Sequence, residues 1–425
     1  MRVLVVGSGG REHALVWKIA QSPEVSEVLA APGSDGIAGD ARCFPAIAAN
    51  DLDAVVELAR AEAVDLVVVG PEDPLAGGLA DRLRKIGIRV FGPSAKAAQL
   101  EASKSFAKDF MLRHGIPTAR YRTFDQLADA QAYVREQAGP CVVKADGLAA
   151  GKGVAVCDGA DDALLALAEM MGTRRFGDAG DRVVVEERLL GEEASYYAIT
   201  DGERIVTLAA AQDHKRALDG DQGENTGGMG AYSPAALFSE AVEKRVLEEI
   251  VVPTIRGMAT DGMPYTGVLY VGLMIDAEGT PRVIEYNVRF GDPETQPLVA
   301  RMDADLVPLL DGAARGDLDE ANTMEWGDAS VCVVLASGGY PRDYKTGLAI
   351  EGLEEAASLE GVQLFHAGTR KRDGRFETAG GRVLGVTACG DDVAQARERA
   401  YAAAARIHFP GVHSRTDIAA RATPS

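Results

Sequence analysis

The chain has 425 residues, 47% hydrophobic and 25% charged, the balance of a globular protein long enough for two to four domains. Its 64 acidic against 44 basic residues give a formal charge of −20, a surface that repels phosphate backbones and anionic lipid, which excludes nucleic acid and membrane as partners. The five cysteines are scattered and never form CxxC, no signal peptide is visible and no apolar run reaches membrane-span length, so a reducing cytoplasm without a zinc site or disulfide framework is expected.

Apolar runs at 3–6, 28–31, 66–69 and 89–91 alternate with helical patterns around 12–20, 52–61 and 79–86. The alternation predicts a doubly wound parallel α/β domain over 1–101. Ligands would meet it at the carboxyl ends of the strands, where "GSGG", "APGSDG", "GPEDP" and "FGPS" fall. The opening turn carries Gly7 and Gly9 but has Glu12 where a dinucleotide fingerprint wants a third glycine. The second strand also lacks an acidic ribose partner. Gly9 and Gly10 at a helix N-terminus suit one phosphate better than NAD, with a plain tight turn as the alternative.

A helix is predicted from near Ala95, carrying Phe106 and Phe110 and stopping at "HGIP". From about residue 118 strand-like pieces dominate: "PCVVKADG", "GVAVCD", "RVVVEERL", "ASYYAITDG" and "RIVTLAAAQDHK". In "VVKADGLAAGKGVAV", Lys144 interrupts an apolar strand, and Gly147, Gly151 and Gly153 surround Lys152. It is not a P-loop, because Gly153 stands where Ser or Thr is needed. A hairpin whose backbone approaches polyphosphate and an ordinary surface hairpin are equally open readings. "VVVEERLLGEE" is either a strand-to-linker hinge for a nucleoside or a solvated acidic turn.

The polar stretch from Ala211 to Pro234 is too long for an idle connection. Within it, residues 225–230 are candidates for a nest of anion-binding donors, and His214 is given no catalytic role. "YTGVLYVGLMID" and "PRVIEYNVRF" read as an antiparallel hairpin about Ala277-Glu278-Gly279. Period-two alternation sets Glu285, Asn287 and Arg289 on one face of its second strand. Their hard oxygens suit Mg²⁺ bridged to phosphates, and the guanidinium suits a transferring phosphoryl group. A mixed α+β segment follows 327 and ends in a helix over 394–408.

In order, "GSGGREHALVWK", "GPEDPL", "FGPSAKAAQLEASKSFAKDF", "VVKADGLAAGKGV", "EERLLGEEAS", "QDHKR", "NTGGMGAYSP", "YTGVLYVGLMID", "EYNVRFGDPETQ" and "GGYP" resemble the phosphoribosylamine–glycine ligase (glycinamide ribonucleotide synthetase) family of the ATP-grasp superfamily. The resemblance spans essentially the whole chain and, with its end at 425, is to the single-function form. It implies an ATP-grasp core over 102–326 with a mobile lid at about 118–190, and a small C-terminal α+β domain over 327–425. It also implies ligation of glycine to 5-phosphoribosylamine with ATP and Mg²⁺, Mn²⁺ being an alternative, by a monomer. Lys104 and Lys144 would meet the ATP phosphates under the loop of Gly147, Gly151, Lys152 and Gly153. Glu186, Arg188 and Leu189 would lie at adenine, Glu193 at ribose, and Glu285 and Asn287 at the metal. Lys144 and Arg289 would be catalytic. Gly9, Gly10, Asp213, Asn225, Thr226, Gly227 and Gly228 would surround phosphoribosylamine. Two positions depart from the family pattern: Glu224 stands in place of proline and Val288 in place of cysteine.

Overall fold

The structure, a computed structural model, describes residues 1–149, 153–320 and 324–422. Strands Arg42–Cys43, Glu27–Pro32, Arg2–Gly7, Leu66–Val69 and Arg89–Phe91 pair in that spatial order, all parallel. The apolar runs form strands because each is short, turn-bounded and buried on both faces. Their side chains divide by parity. Leu4, Val6, Leu29, Val67 and Val69 enter one core; Val3, Val5, Val28, Leu66 and Val68 enter another. Helices Leu52–Ala61 and Leu79–Lys85 cover the first face. Gly10–Ile19 and, from far along the chain, Val307–Arg315 cover the second. The order reverses between Arg2–Gly7 and Leu66–Val69, so Gly7 and Gly70 sit at the switch point where such sheets take ligands. Arg42–Cys43 is an edge strand without a sequence signal, since two residues carry no periodicity.

The helix expected to run unbroken from Ala95 is instead two, Gln99–Ala102 and Lys104–Arg113. Ser103 is extended, and its hydroxyl accepts from the Phe106 N–H at 3.1 Å, an N-cap that restarts the helix with Lys104 at its first position. Next, Tyr121–Phe124, Val183–Glu187, Cys141–Ala145 and Val154–Cys157 form an antiparallel sheet in that order. Helices Leu127–Gln137 and Ala160–Leu167 back it over a core of its own. A second antiparallel sheet runs Ile205–Thr207, Glu192–Thr200, Gly267–Ile275, Pro281–Asn287.

"RIVTLAAAQDHK", read as one strand, is split between sheets. Ile205–Thr207 stays in the second, while Gln212–Asp213 joins Gly230–Ser233, Ala329–Ala336, Arg382–Gly390 and Val362–His366 in a third. The polar stretch between Gln212–Asp213 and Gly230–Ser233 folds into a small hairpin, Arg216–Leu218 with Gln222–Asn225. Helix Val393–Ala404 packs on the third sheet and ends short of the expected His408, which bridges to Glu351 instead.

The third sheet meets the first domain at a histidine pair. The His366 N–H donates to His13 Nδ1 at 2.8 Å, and His366 Nδ1 lies 2.9 Å from the Thr369 hydroxyl. Burial, with His13 alongside, lowers the His366 imidazole to about 4. An unfolded histidine binds its proton near ~6.5, so between that pH and the folded value the unfolded chain holds the extra proton. Stability therefore falls as pH falls through this window, by about 2 kcal/mol at pH 5 for this group. Urea titrations at pH 7 and pH 5 should show the loss, and His366→Gln should shrink it. An unchanged pH slope in the variant would contradict the assignment.

Candidate active site

The opening turn is filled by its own helix. The Glu12 carboxylate accepts from the Gly9 N–H at 2.6 Å and from Arg11 Nε at 2.6 Å. A Cβ on Gly7 would lie 2.4 Å from Glu12 Cγ, and one on Gly70 2.2 Å from Glu12 Oε1. Glu12 thus explains both glycines and occupies the space a pyrophosphate would need. The Gly9 donor is thus taken by Glu12, while the neighbouring Arg11 lines the central cavity. Gly7→Ala, at φ +129° and against Glu12, should cost about 3 kcal/mol or more of stability. Urea denaturation of Gly7→Ala with and without Glu12→Ala checks this, since the second change should restore part of the loss.

A cavity of about 730 Å³ lies between the two antiparallel sheets and reaches the first domain. Of the expected site residues it is lined by Lys104, Lys144, Gly147, Gly153, Glu186, Arg188, Leu189, Glu193, Asp213, Asn225, Thr226, Gly227, Glu285, Asn287 and Arg289. Gly228 does not line it, and Gly151 and Lys152 lie outside the described residues.

Lys144 is 2% exposed; its ammonium donates to the Ile284 carbonyl at 2.8 Å and pairs with Glu186 at 3.0 Å. Ile284 can offer that carbonyl because the ladder slips between Gly272 and Leu273, leaving Ile284 unpaired. Glu186 also pairs with Lys108 at 3.0 Å, a buried lysine that the sequence reading missed. Burial lowers Lys108 to about 8 despite Glu186. Lys108 lies in the segment "FGPSAKAAQLEASKSFAKDF" at i,i+4 from Lys104 on a short helix, but no local feature marks it as a partner of Glu186. Lys104 reaches the Gly147 carbonyl at 3.3 Å, and Arg188 pairs with Asp158.

Glu285 and Asn287 face the cavity from the strand Pro281–Asn287. Burial alone would raise the Glu285 carboxyl, but Lys215, Lys144 and Lys104 hold it below the usual range. An ionised carboxylate and an amide oxygen two residues apart fit a small hard cation that completes its shell from phosphates and water. Among the described residues no group of three or more His, Cys, Asp or Glu forms a self-sufficient metal cage. Arg289 follows, clamped between Glu101 at 3.0 Å and Glu72 at 3.2 Å. Glu101 also accepts from the Val288 N–H at 2.7 Å, so the departure at Val288 leaves its backbone engaged. Glu72 and Glu101 lie within the quoted segments "GPEDPL" and "FGPSAKAAQLEASKSFAKDF", but nothing local links them to Arg289, because they reach it from other parts of the chain.

At the far end Glu193 pairs with Lys215, whose ammonium lies 4.0 Å from Glu285. Burial raises Asp213 to about 7, with Lys215 opposing and Glu294 adding to the rise. The expected nest at 225–230 is corrected: its donors are already used. Thr226 donates to the Lys215 carbonyl at 2.7 Å, Gly227 to the Tyr340 hydroxyl at 3.0 Å, and Gly228 to the Thr226 hydroxyl at 2.9 Å. The glycines serve close packing, since a Cβ on Gly228 would lie 2.3 Å from Pro293. Arg382, from the third sheet, grips the Gly227 carbonyl at 2.5 Å and Asp292 at 3.0 Å. Glu224, the other departure, pairs with Arg342 at 2.6 Å. His214 is buried and lowered to about 3, a neutral core histidine.

Comparisons with known proteins cover nearly the whole chain. Residues 1–101 match the family described as phosphoribosylglycinamide synthetase, N domain, 102–295 its ATP-grasp (A) domain and 330–421 its C domain. The phosphoribosylamine–glycine ligase of Pseudomonas aeruginosa is 53% identical over 424 residues, covering 99% of this chain and 98% of that one. The Escherichia coli O6:H1 enzyme of the same name is 53% identical over 425 residues, covering 99% of each. Among solved structures, the Thermotoga maritima phosphoribosylamine–glycine ligase superposes with a TM-score of 0.86 at 34% identity, covering 98% of this chain and all of that one. The biotin carboxylase of Campylobacter jejuni, at 15% identity and a TM-score of 0.73, shares the fold over 97% of this chain and 92% of its own.

Proposed function

The chain belongs to the phosphoribosylglycinamide synthetase family, and from that premise we propose how its cavity joins glycine to 5-phosphoribosylamine. The reaction consumes ATP and gives glycinamide ribonucleotide, ADP and phosphate, a step of purine synthesis. The observation carrying the residue assignment is the meeting of Lys104, Lys144, Glu285, Asn287 and Arg289 around one cavity.

ATP lies between the two antiparallel sheets, its adenine against the strand end at Glu186 to Leu189 and its ribose near Glu193. Lys104 and Lys144 neutralise the phosphates, and Glu285 with Asn287 would hold Mg²⁺, which would supply positive charge against the transferring phosphoryl oxygens. Mn²⁺, with the same preference for oxygen, is accepted as an alternative. A glycine carboxylate oxygen attacks the γ-phosphorus and ADP leaves, forming glycyl phosphate. The amine of phosphoribosylamine attacks the glycyl carbonyl, phosphate leaves, and the amine's proton is lost as the amide forms.

Arg289, restrained by Glu72 and Glu101, faces the phosphoryl group with a fixed guanidinium. Asp213, Asn225, Thr226 and Gly227 face the sugar amine. The small sheet with Gly147 and Gly153 closes over the nucleotide, because an acyl phosphate open to water would hydrolyse. We place the enzyme in the cytoplasm as a monomer; its five cysteines are free thiols, and among the described residues no helix is long and apolar enough to cross a membrane. Glycine labelled with ¹⁸O in its carboxylate tests the intermediate. One label should pass to inorganic phosphate, and unlabelled phosphate would contradict a glycyl phosphate.

A further inference from the structure

Cys141 and Cys157 stand directly opposite each other on the antiparallel strands Cys141–Ala145 and Val154–Cys157, and the Cys157 thiol donates to the Ala155 carbonyl at 3.5 Å. The Ala145 N–H donates to the Gly153 carbonyl at 2.8 Å, which fixes the alternation of the ladder. Counting back by twos, Val143 with Ala155 and Cys141 with Cys157 are hydrogen-bonded pairs. At such pairs the Cα atoms lie about 5.5 Å apart, inside the ~4.4–6.8 Å that disulfides span. The two thiols belong to the core of the small sheet, at 8% and 1% exposure, but at its rim. Pro140 before one and Asp158 after the other are exposed. Cys43, Cys332 and Cys389 lie in other parts of the fold.

We propose that Cys141 and Cys157 are a modification site, joined by a peroxide into an intramolecular disulfide that reversibly weakens ATP binding. Cys141 is the attacking sulfur: the neighbouring Cys157 thiol lowers it, while Cys141 and burial push Cys157 up. Its thiolate attacks a peroxide oxygen, the O–O bond breaks, and a sulfenic acid and one water result. The Cys157 sulfur then attacks the sulfenic sulfur, the S–O bond breaks and the S–S bond forms. The oxygen leaves as a second water, so both thiol protons end in water and hydrogen peroxide takes the two electrons.

The consequence follows from register. A disulfide draws its Cβ atoms to about 3.8 Å, closer than a hydrogen-bonded pair holds them, so the strands must twist about this rung. The next rung, Val142 with Val156, lines the cavity, and Lys144 stands two residues further on. The nucleotide side of the hairpin therefore moves when the core side is bridged. This consequence rests on the proposed placement of ATP; the bond itself does not.

The test exposes the full-length folded protein to hydrogen peroxide and counts thiols after denaturation. The count should fall from five to three, the mass by about 2 Da, and one peptide pair should carry Cys141 linked to Cys157. ATP half-saturation should rise about tenfold, the scale expected for a small displacement of a positioned group, and dithiothreitol should restore it. Cys141→Ser and Cys157→Ser, tested separately so that one misfolded variant leaves the other, should keep their ATP half-saturation under peroxide. Five thiols persisting in the treated protein, or a link to another cysteine, would overturn the site. A Cys141–Cys157 link with unchanged ATP half-saturation would overturn its regulatory role. The thiol and mass readouts need no catalysis, so they stand apart from any failure of the ligase assignment.

Discussion

Lys144→Ala is expected to lower kcat by ~10²–10³, the usual cost of removing one positioned charge stabiliser. The side chain is buried, and its ammonium is fixed between the Ile284 carbonyl and Glu186. A cation held this way costs no reorganisation as charge develops on the phosphoryl oxygens. The alanine variant should still fold, because Glu186 keeps Lys108 as a partner at 3.0 Å. A native-like circular dichroism spectrum with collapsed turnover is the expected result. Near-normal turnover would remove Lys144 from the chemistry.

Glu285→Ala should cost a similar ~10²–10³ in kcat and raise the Mg²⁺ concentration for half-activity at least about tenfold. Three lysines hold this carboxylate ionised, so loss of the charge is felt by a cation and by Lys215 alike. Glu285→Gln separates the two effects, since it keeps the shape and one oxygen but removes the charge. Its Mg²⁺ requirement should lie between those of wild type and alanine. Normal turnover of the alanine variant at saturating Mg²⁺ would show that Glu285 is not a ligand.

Much of this site is visible in the sequence where chemistry coincides with a local repeat. Alternation picks out Glu285, Asn287 and Arg289, which do meet at the cavity although the strand ends at Asn287, and Lys144 betrays itself as a charge inside an apolar run. The parallel sheet is equally legible, because strands buried on both faces must be apolar throughout. What the sequence hides are partners that meet through the fold. Lys108 with Glu186, Glu72 and Glu101 around Arg289, and Arg382 on Gly227 come from distant elements with no shared period. Glycine-rich turns at Gly9 and 225–230 look open to an anion, but Glu12, Tyr340 and Thr226 take the N–H groups of Gly9, Gly227 and Gly228. Ser103 broke a predicted helix for a similarly local reason, a side chain capping the backbone in place of one more turn.

ADP release from ATP and Mg²⁺ tests the central claim most directly, with glycine and freshly generated phosphoribosylamine each omitted in turn. Sustained release should require both, with glycinamide ribonucleotide formed in equal amount. Sustained release with another acid in place of glycine, or none under any combination despite tight ATP binding, would contradict it.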